Sequence, residues 1–184
     1  MNTDLHFSTG NDEVETPDEL FDMLHAQHRF VVDVAAIKTN AKVENYFGPD
    51  HEDPARRDCL TIDWPTAGAC WMNPPYSKGE KACKAKCKKK VCPERGYHVQ
   101  EDKPGCYDFV KKSYLEMHRG VTTVALLAAR TDTNWFFEFI WDQHKQRPKR
   151  GVTVTFLRGR LKFKGQRESA PFPSMIVRFC PKNA

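Results

Sequence analysis

No stretch of this chain approaches the roughly 20 consecutive apolar residues of a membrane-spanning helix. That absence excludes a helical membrane protein. Met1 to Gly10 is polar and has no apolar core of the kind an export signal carries, so the expected compartment is cytoplasmic. Cys-x-x-Cys pairs are absent, and the seven cysteines are an odd count. With no export signal, a disulfide framework is not expected. No internal repeat is visible. Glycine is also scarce where it is most often needed. The first strand-like segment ends in Ala35-Ala36 rather than a glycine-rich loop, although glycine there lets backbone approach a cofactor closely.

What the chain does have is a globular composition, 40% hydrophobic and 29% charged over 184 residues. That length suits one domain with a full core, expected over 1–184. Net charge is +5, a mild bias toward polyanions, but the charge is clustered. Lys78 to Arg95 holds eight Lys/Arg against Glu80 and Glu94. Lys145, Arg147, Lys149 and Arg150 form a second basic run. Local positive potential of this kind attracts phosphates, so a nucleic acid is the expected partner.

Apolar periodicity outlines the elements. Thr16-Pro17 reads as a helix start, Thr16 capping and Pro17 in the first turn, with Leu20, Phe21 and Leu24 on one face. Phe30 to Ala36 reads as a buried strand carrying Asp33, and Tyr46-Phe47 as a weaker strand. Ala69 to Met72 is a strand stopped by Asn73-Pro74-Pro75-Tyr76, because two prolines cannot continue a central strand. The spacing predicts a helix over Tyr107 to His118, a buried strand over Val121 to Ala128 and a helix over Thr131 to His144. Strands follow at Val152 to Leu157 and Ser174 to Phe179, with Leu161 to Phe163 after a turn. Alternation of strands and helices predicts an α/β three-layer sandwich with a mostly parallel central sheet. Ligands of such sheets bind at the carboxyl ends of the strands, where Asp33 and Asn73 both fall.

Asn73-Pro74-Pro75-Tyr76 is the sharpest chemical signal. An aromatic exocyclic amine is a poor nucleophile, because its lone pair is delocalised into the ring. Acceptors beside its N–H groups restore electron density as a methyl group arrives. The Asn73 side-chain oxygen and the Pro74 carbonyl are two such acceptors, and the prolines hold them rigidly in place. Tyr76 offers a ring for stacking a base, which must be flipped out of a duplex to be reached. Asn-Pro-Pro-Tyr resembles the signature of amino-directed methyltransferases, and in that resemblance Asp33, a carboxylate ending the first strand, is a candidate for the ammonium or ribose end of S-adenosylmethionine. Asp58 or Asp63 is placed to meet its adenosine end.

Six segments then occur together in order: Glu15-Thr16-Pro17 with Leu20-Phe21; Asp33-Val34-Ala35-Ala36; Asn73-Pro74-Pro75-Tyr76-Ser77; Thr131-Asp132-Thr133 with Trp135-Phe136; Gly159-Arg160-Leu161 with Phe163; and Ala170-Pro171-Phe172-Pro173-Ser174. In these the chain resembles the phage-type DNA adenine-N6 methyltransferases, a small Dam-like family. The resemblance implies a Rossmann-like S-adenosylmethionine-dependent methyltransferase fold and N6-methyladenine in DNA as product. It also implies the cytoplasm of a bacterial host for a phage- or prophage-encoded protein. By carry-over, Asn73, Pro74, Pro75 and Tyr76 form the catalytic loop. Thr16, Pro17, Asp33, Ala35 and Asp58 are the cofactor-binding candidates. Thr131-Asp132-Thr133 is expected at the rim of the active site or on a phosphate.

The segment 78–106 breaks the α/β pattern and reads as a basic, Cys-rich insertion with little apolar content. Cys83, Cys87, Cys92 and Cys106, or three of these thiolates with His98, form a candidate tetrahedral zinc site. Such a metal would supply the insertion's folding energy. The alternative is four reduced, unliganded cysteines. Two rival functions remain at this point. One is a glutamine-amide methyltransferase sharing Asn-Pro-Pro-Tyr, and the other is a catalytically silent nucleic-acid-binding module on the same fold.

Overall fold

A computed structural model describes residues 14–181. The polar stretch Met1 to Gly10 lies outside the described residues. Helix α1 spans Asp18–His28 and is followed at once by strand β1, Phe30–Asp33. Strand β2 is Ala69–Met72, helix α2 is Val91–Arg95 and helix α3 is Cys106–His118. Strand β3, Thr122–Ala128, leads into a π-helical turn, Phe136–Ile140. The short strands β4 (Trp141–Asp142) and β5 (Arg147–Pro148) pair with each other, and β6 (Val152–Phe156) and β7 (Ser174–Phe179) complete the chain.

The main sheet has the order β1-β2-β3-β7-β6. The pairs β1–β2 and β2–β3 are parallel, while β7 is antiparallel to both β3 and β6. Thus β1, β2, β3 and β6 point one way and β7 alone runs back. The period-2 alternation of β2 shows how the layers form. Cys70 and Met72 face a core shared with Phe109, Val110 and Met117 of α3 and with Phe136 and Ile140. Ala69 and Trp71 face the opposite core, against Phe21 and Leu24 of α1. Both faces of the sheet are therefore covered, and its strands read as continuous apolar runs for that reason. Among the described residues no helix is long and apolar enough to cross a membrane.

Several boundaries differ from the sequence expectation. Pro17, not Thr16, takes the N-cap position of α1, and it brings no side-chain cap. β1 stops at Asp33 because the chain then pairs on its outer side. Phe47 N–H donates to Asp33 O, Ala36 N–H donates to Phe47 O, and Tyr46 forms a parallel bridge with Asp33. The helix expected over Thr131 to His144 shrinks to the π-helical turn. Asp142 ends it by accepting the His144 and Lys145 N–H groups, a side-chain turn that outcompetes further helix. Phe136 stacks instead on Trp141, at 6.0 Å between ring centroids. Leu161 to Phe163 is not a strand; the adjoining Lys164 bridges to Glu15.

Candidate active site

The carboxyl ends of β1, β2 and β3 open into one cleft of about 1310 Å³. Asp33 and Ala35 reach it from β1, Asn73, Pro75 and Tyr76 from β2, and Ala128 and Arg130 from β3. Its volume exceeds the roughly 300–1,000 Å³ of a typical small-molecule site, leaving room for two ligands side by side.

The loop after β2 sets the orientation of Asn73. Its Nδ2 donates to the Val14 carbonyl at 2.7 Å, and its Oδ1 accepts from the Tyr76 hydroxyl at 2.8 Å. The Val14 carbonyl can only accept, so it fixes which end of the amide is nitrogen and leaves Oδ1 facing the Tyr76 hydroxyl. An amide oxygen has two lone pairs and Tyr76 uses one, so the second can accept an amine N–H. Tyr76 itself is only 7% exposed. Its ring lies edge-on to Phe172 at 5.2 Å and tilted against Phe163 at 5.9 Å. Most of the ring is taken by packing, not presented as an open stacking face. Burial pushes its phenol well above the ordinary range, which keeps it a neutral donor. Pro74, in the same loop, is buried and is not among the residues that line the cleft. The segments carrying Phe163 and Phe172 had no evident role in sequence; here they close around Tyr76.

Asp33 ends β1 with its carboxyl group 3% exposed. Its two oxygens accept the Ala35 and Lys42 backbone N–H groups, at 3.3 and 3.1 Å. Burial raises its pKa to about 6, with those two donors and the Lys42 charge working against the rise. The Lys42 ammonium turns away from Asp33 and binds Glu15 at 2.9 Å and Asp18 at 2.7 Å. Lys164 reaches the same two carboxylates, each at 3.0 Å. This four-residue ion network fastens residues 14–18 across the cleft, so Val14, Glu15 and Thr16 line it. Thr16 Oγ1 is buried there with no hydrogen-bond partner among the described residues. Pro17 sits behind, at the start of α1.

Asp58 and Asp63, equivalent from sequence, part company in the structure. Asp58 lines the cleft and Asp63 pairs with Arg119 at 2.9 Å. Gly48, beside Phe47, lines the cleft. A Cβ there would lie 1.7 Å from the Ala36 carbonyl oxygen, so only glycine lets this turn pack against the backbone that follows β1. Asp132 and Thr133 line the rim, and Lys42 joins them in the cleft without any motif that could have announced it.

The insertion follows the loop 73–77 on a neck of two backbone hydrogen bonds between Glu80 and Lys103, 2.8 and 2.7 Å. Arg95 grips Glu80 through two nitrogens, at 2.7 and 3.1 Å, and Lys89 adds a third contact. These contacts hold the Glu80 carboxyl at about 2. Within the lobe the Cys83, Cys87 and Cys92 thiols and a His98 ring nitrogen lie within 4.8 Å of one another, a donor set that fits zinc. Cys106 is not in that group. Its N–H donates to Ser77 O, which pins the start of α3 beside the Asn73–Ser77 loop, on the far side of the neck from the lobe. Burial pushes the Cys106 thiol up to about 12.

A family model described as DNA N-6-adenine-methyltransferase (Dam) matches residues 6–179. A protein of Haemophilus phage HP1 (strain HP1c1), named DNA N-6-adenine-methyltransferase, is 41% identical over 49 residues, 27% of this chain and 24% of that protein. The chain thus spans about a quarter of that relative's length. No solved structure matches the chain.

Proposed function

The chain belongs to the DNA N-6-adenine-methyltransferase (Dam) family, and from that membership we propose that it transfers a methyl group from S-adenosylmethionine to the exocyclic amine of adenine in DNA. The observation that carries this reading is the fixed Asn73 amide, its oxygen directed by Tyr76 and Val14 at the head of a cleft with room for two ligands. The lone reversal of β7 beside parallel β1, β2 and β3 supports a Rossmann-like methyltransferase fold.

The β1 side of the cleft suits the donor. The Asp33 carboxyl and the Thr16 hydroxyl, which has no hydrogen-bond partner among the described residues, offer polar groups to an ammonium or ribose hydroxyl, and Asp58 offers a second carboxylate. Ala35, Ala36 and Phe47 add apolar surface. The donor, when bound, supplies a methyl group on a sulfonium sulfur, which leaves as a neutral thioether. Asn73 Oδ1 and the Pro74 carbonyl accept the amine N–H groups and stabilise the positive charge that develops on nitrogen. An amide is no base, so Asn73 orients the amine and the released proton passes to water. Because the loop is held by two prolines and two hydrogen bonds, little reorganisation accompanies the reaction.

DNA is the proposed partner because lysines cluster on the lobe bordering this cleft. Lys84, Lys86, Lys88 and Lys90 are all exposed. The test is equilibrium dialysis of labelled S-adenosylmethionine followed by tracing of the label. Retention of donor and transfer of label to unmethylated DNA is the expected result. Binding without transfer to DNA would shift the reading to an amide substrate, and no binding at all would leave a silent DNA-binding module.

A further inference from the structure

We propose that Cys83, Cys87, Cys92 and His98 bind a single Zn2+, and that this ion builds the wall of the cleft on which DNA rests. The metal site stands on geometry alone, whereas the DNA part rests on the methyltransferase reading above.

The spacing Cys-x3-Cys-x4-Cys-x5-His brings four donors together on one small lobe. The Cys83–Cys92 and Cys87–Cys92 sulfur separations are 3.6 and 3.7 Å. Two thiolates bound to zinc at roughly 2.3 Å in a tetrahedron stand about 3.8 Å apart, so the sulfurs already occupy ligand positions. An Arg95 nitrogen lies 3.3 Å from Cys92 Sγ, where a donor supports a metal-bound thiolate. A disulfide is a poorer account, because it would use two sulfurs and leave the third and His98 gathered for no reason.

The lobe needs such a centre. Between 80 and 103 only Cys92 and Val99 are buried, too little apolar surface to offset the entropy of ordering the segment. Its ion pairs include the exposed Lys81–Asp102 contact, and contacts of that type contribute little. Metal binding contributes folding energy directly. The consequence reaches the cleft, since Gly79, Glu80, Lys81, Asp102 and Lys103, at the base of the lobe, line it. The neck also admits no slack. A Cβ on Gly105 would lie 2.2 Å from Gly79 N, so movement of the lobe is passed to the wall.

The experiment measures zinc in the full-length protein by elemental mass spectrometry, with Cys87→Ser, His98→Ala and Cys106→Ser beside it. Cofactor binding, DNA binding and proteolysis are measured on the same samples, and on wild type stripped by chelator. About one zinc per chain is expected in wild type and Cys106→Ser, and a marked loss in the other two. The stripped protein should become cleavable within 78–106, keep its affinity for S-adenosylmethionine and lose at least about tenfold in DNA affinity. Co2+ substitution should give the visible ligand-field bands of a tetrahedral thiolate site. Zinc-free wild type that takes up neither metal, or a mass two hydrogens light from a disulfide, overturns the site. Zinc that stays bound in Cys87→Ser and His98→Ala does so too. Zinc loss with unchanged DNA affinity overturns the wall. Neither result touches methyl transfer itself, which the label assay reads separately.

Discussion

The Tyr76 hydroxyl donates a 2.8 Å hydrogen bond to Asn73 Oδ1. That bond and the Asn73–Val14 bond at 2.7 Å turn a flexible amide into a fixed acceptor. Removing the hydroxyl with Tyr76→Phe leaves the ring packed against Phe163 and Phe172 but releases the amide. The loss of one net hydrogen bond, about 1 kcal/mol, corresponds to roughly fivefold in kcat. Asn73→Ala removes the acceptor itself and should cost about 100-fold or more. Steady-state kinetics, with circular dichroism to verify folding, checks both.

Asp33 makes stability depend on pH in an unusual direction for a carboxyl group. Its native pKa of about 6 lies above its unfolded value near 3.8. Between these values the native state holds a proton that the unfolded state has lost, so stability falls as pH rises through this window. The gap of about 2 units corresponds to roughly 2–3 kcal/mol. Asp33→Asn should therefore flatten the denaturation midpoint between pH 4 and pH 7 relative to wild type, while weakening cofactor binding. Equal pH dependence of both proteins would contradict the burial assigned to this carboxyl.

Lys42 holds residues 14–18 across the cleft from a side chain that is only 8% exposed. Lys42→Met keeps the packing but strands Glu15 and Asp18 with Lys164 alone. Asp18 is exposed and Glu15 is partly solvated, so the cost to stability is small. The expected signature is a raised KM for S-adenosylmethionine, measured alongside the thermal midpoint.

In the sequence, the loop from Asn73 to Tyr76 is legible at the end of a strand because two prolines cannot continue an apolar run that is itself plain. The ion network of Lys42, Lys164, Glu15 and Asp18 is not legible there, because contacts drawn from separate segments have no local pattern. The helix expected after β3 is overextended because an aromatic run satisfies helical spacing, while the Asp142 turn that ends it depends on side-chain hydrogen bonds. Cys106 was grouped with the insertion by proximity in sequence. The neck at Gly79 and Gly105 places it on the other side.

Lys84, Lys86, Lys88 and Lys90 are exposed on one lobe. If they lie along the DNA backbone, replacing Lys86 and Lys88 with Ala should reduce the slope of log affinity against log salt by roughly 2. Fluorescence anisotropy over a salt series measures it. An unchanged slope would move the DNA path off this lobe.

If the loop from Asn73 to Tyr76 directs a methyl group onto the adenine exocyclic amine, the product carries the proof: nucleosides from unmethylated DNA, incubated with S-adenosylmethionine and either wild type or Asn73→Ala, are analysed by mass spectrometry. N6-methyladenine with wild type and almost none with the variant is the predicted result. Methyl groups on another base, or equal N6-methyladenine from both proteins, would contradict it.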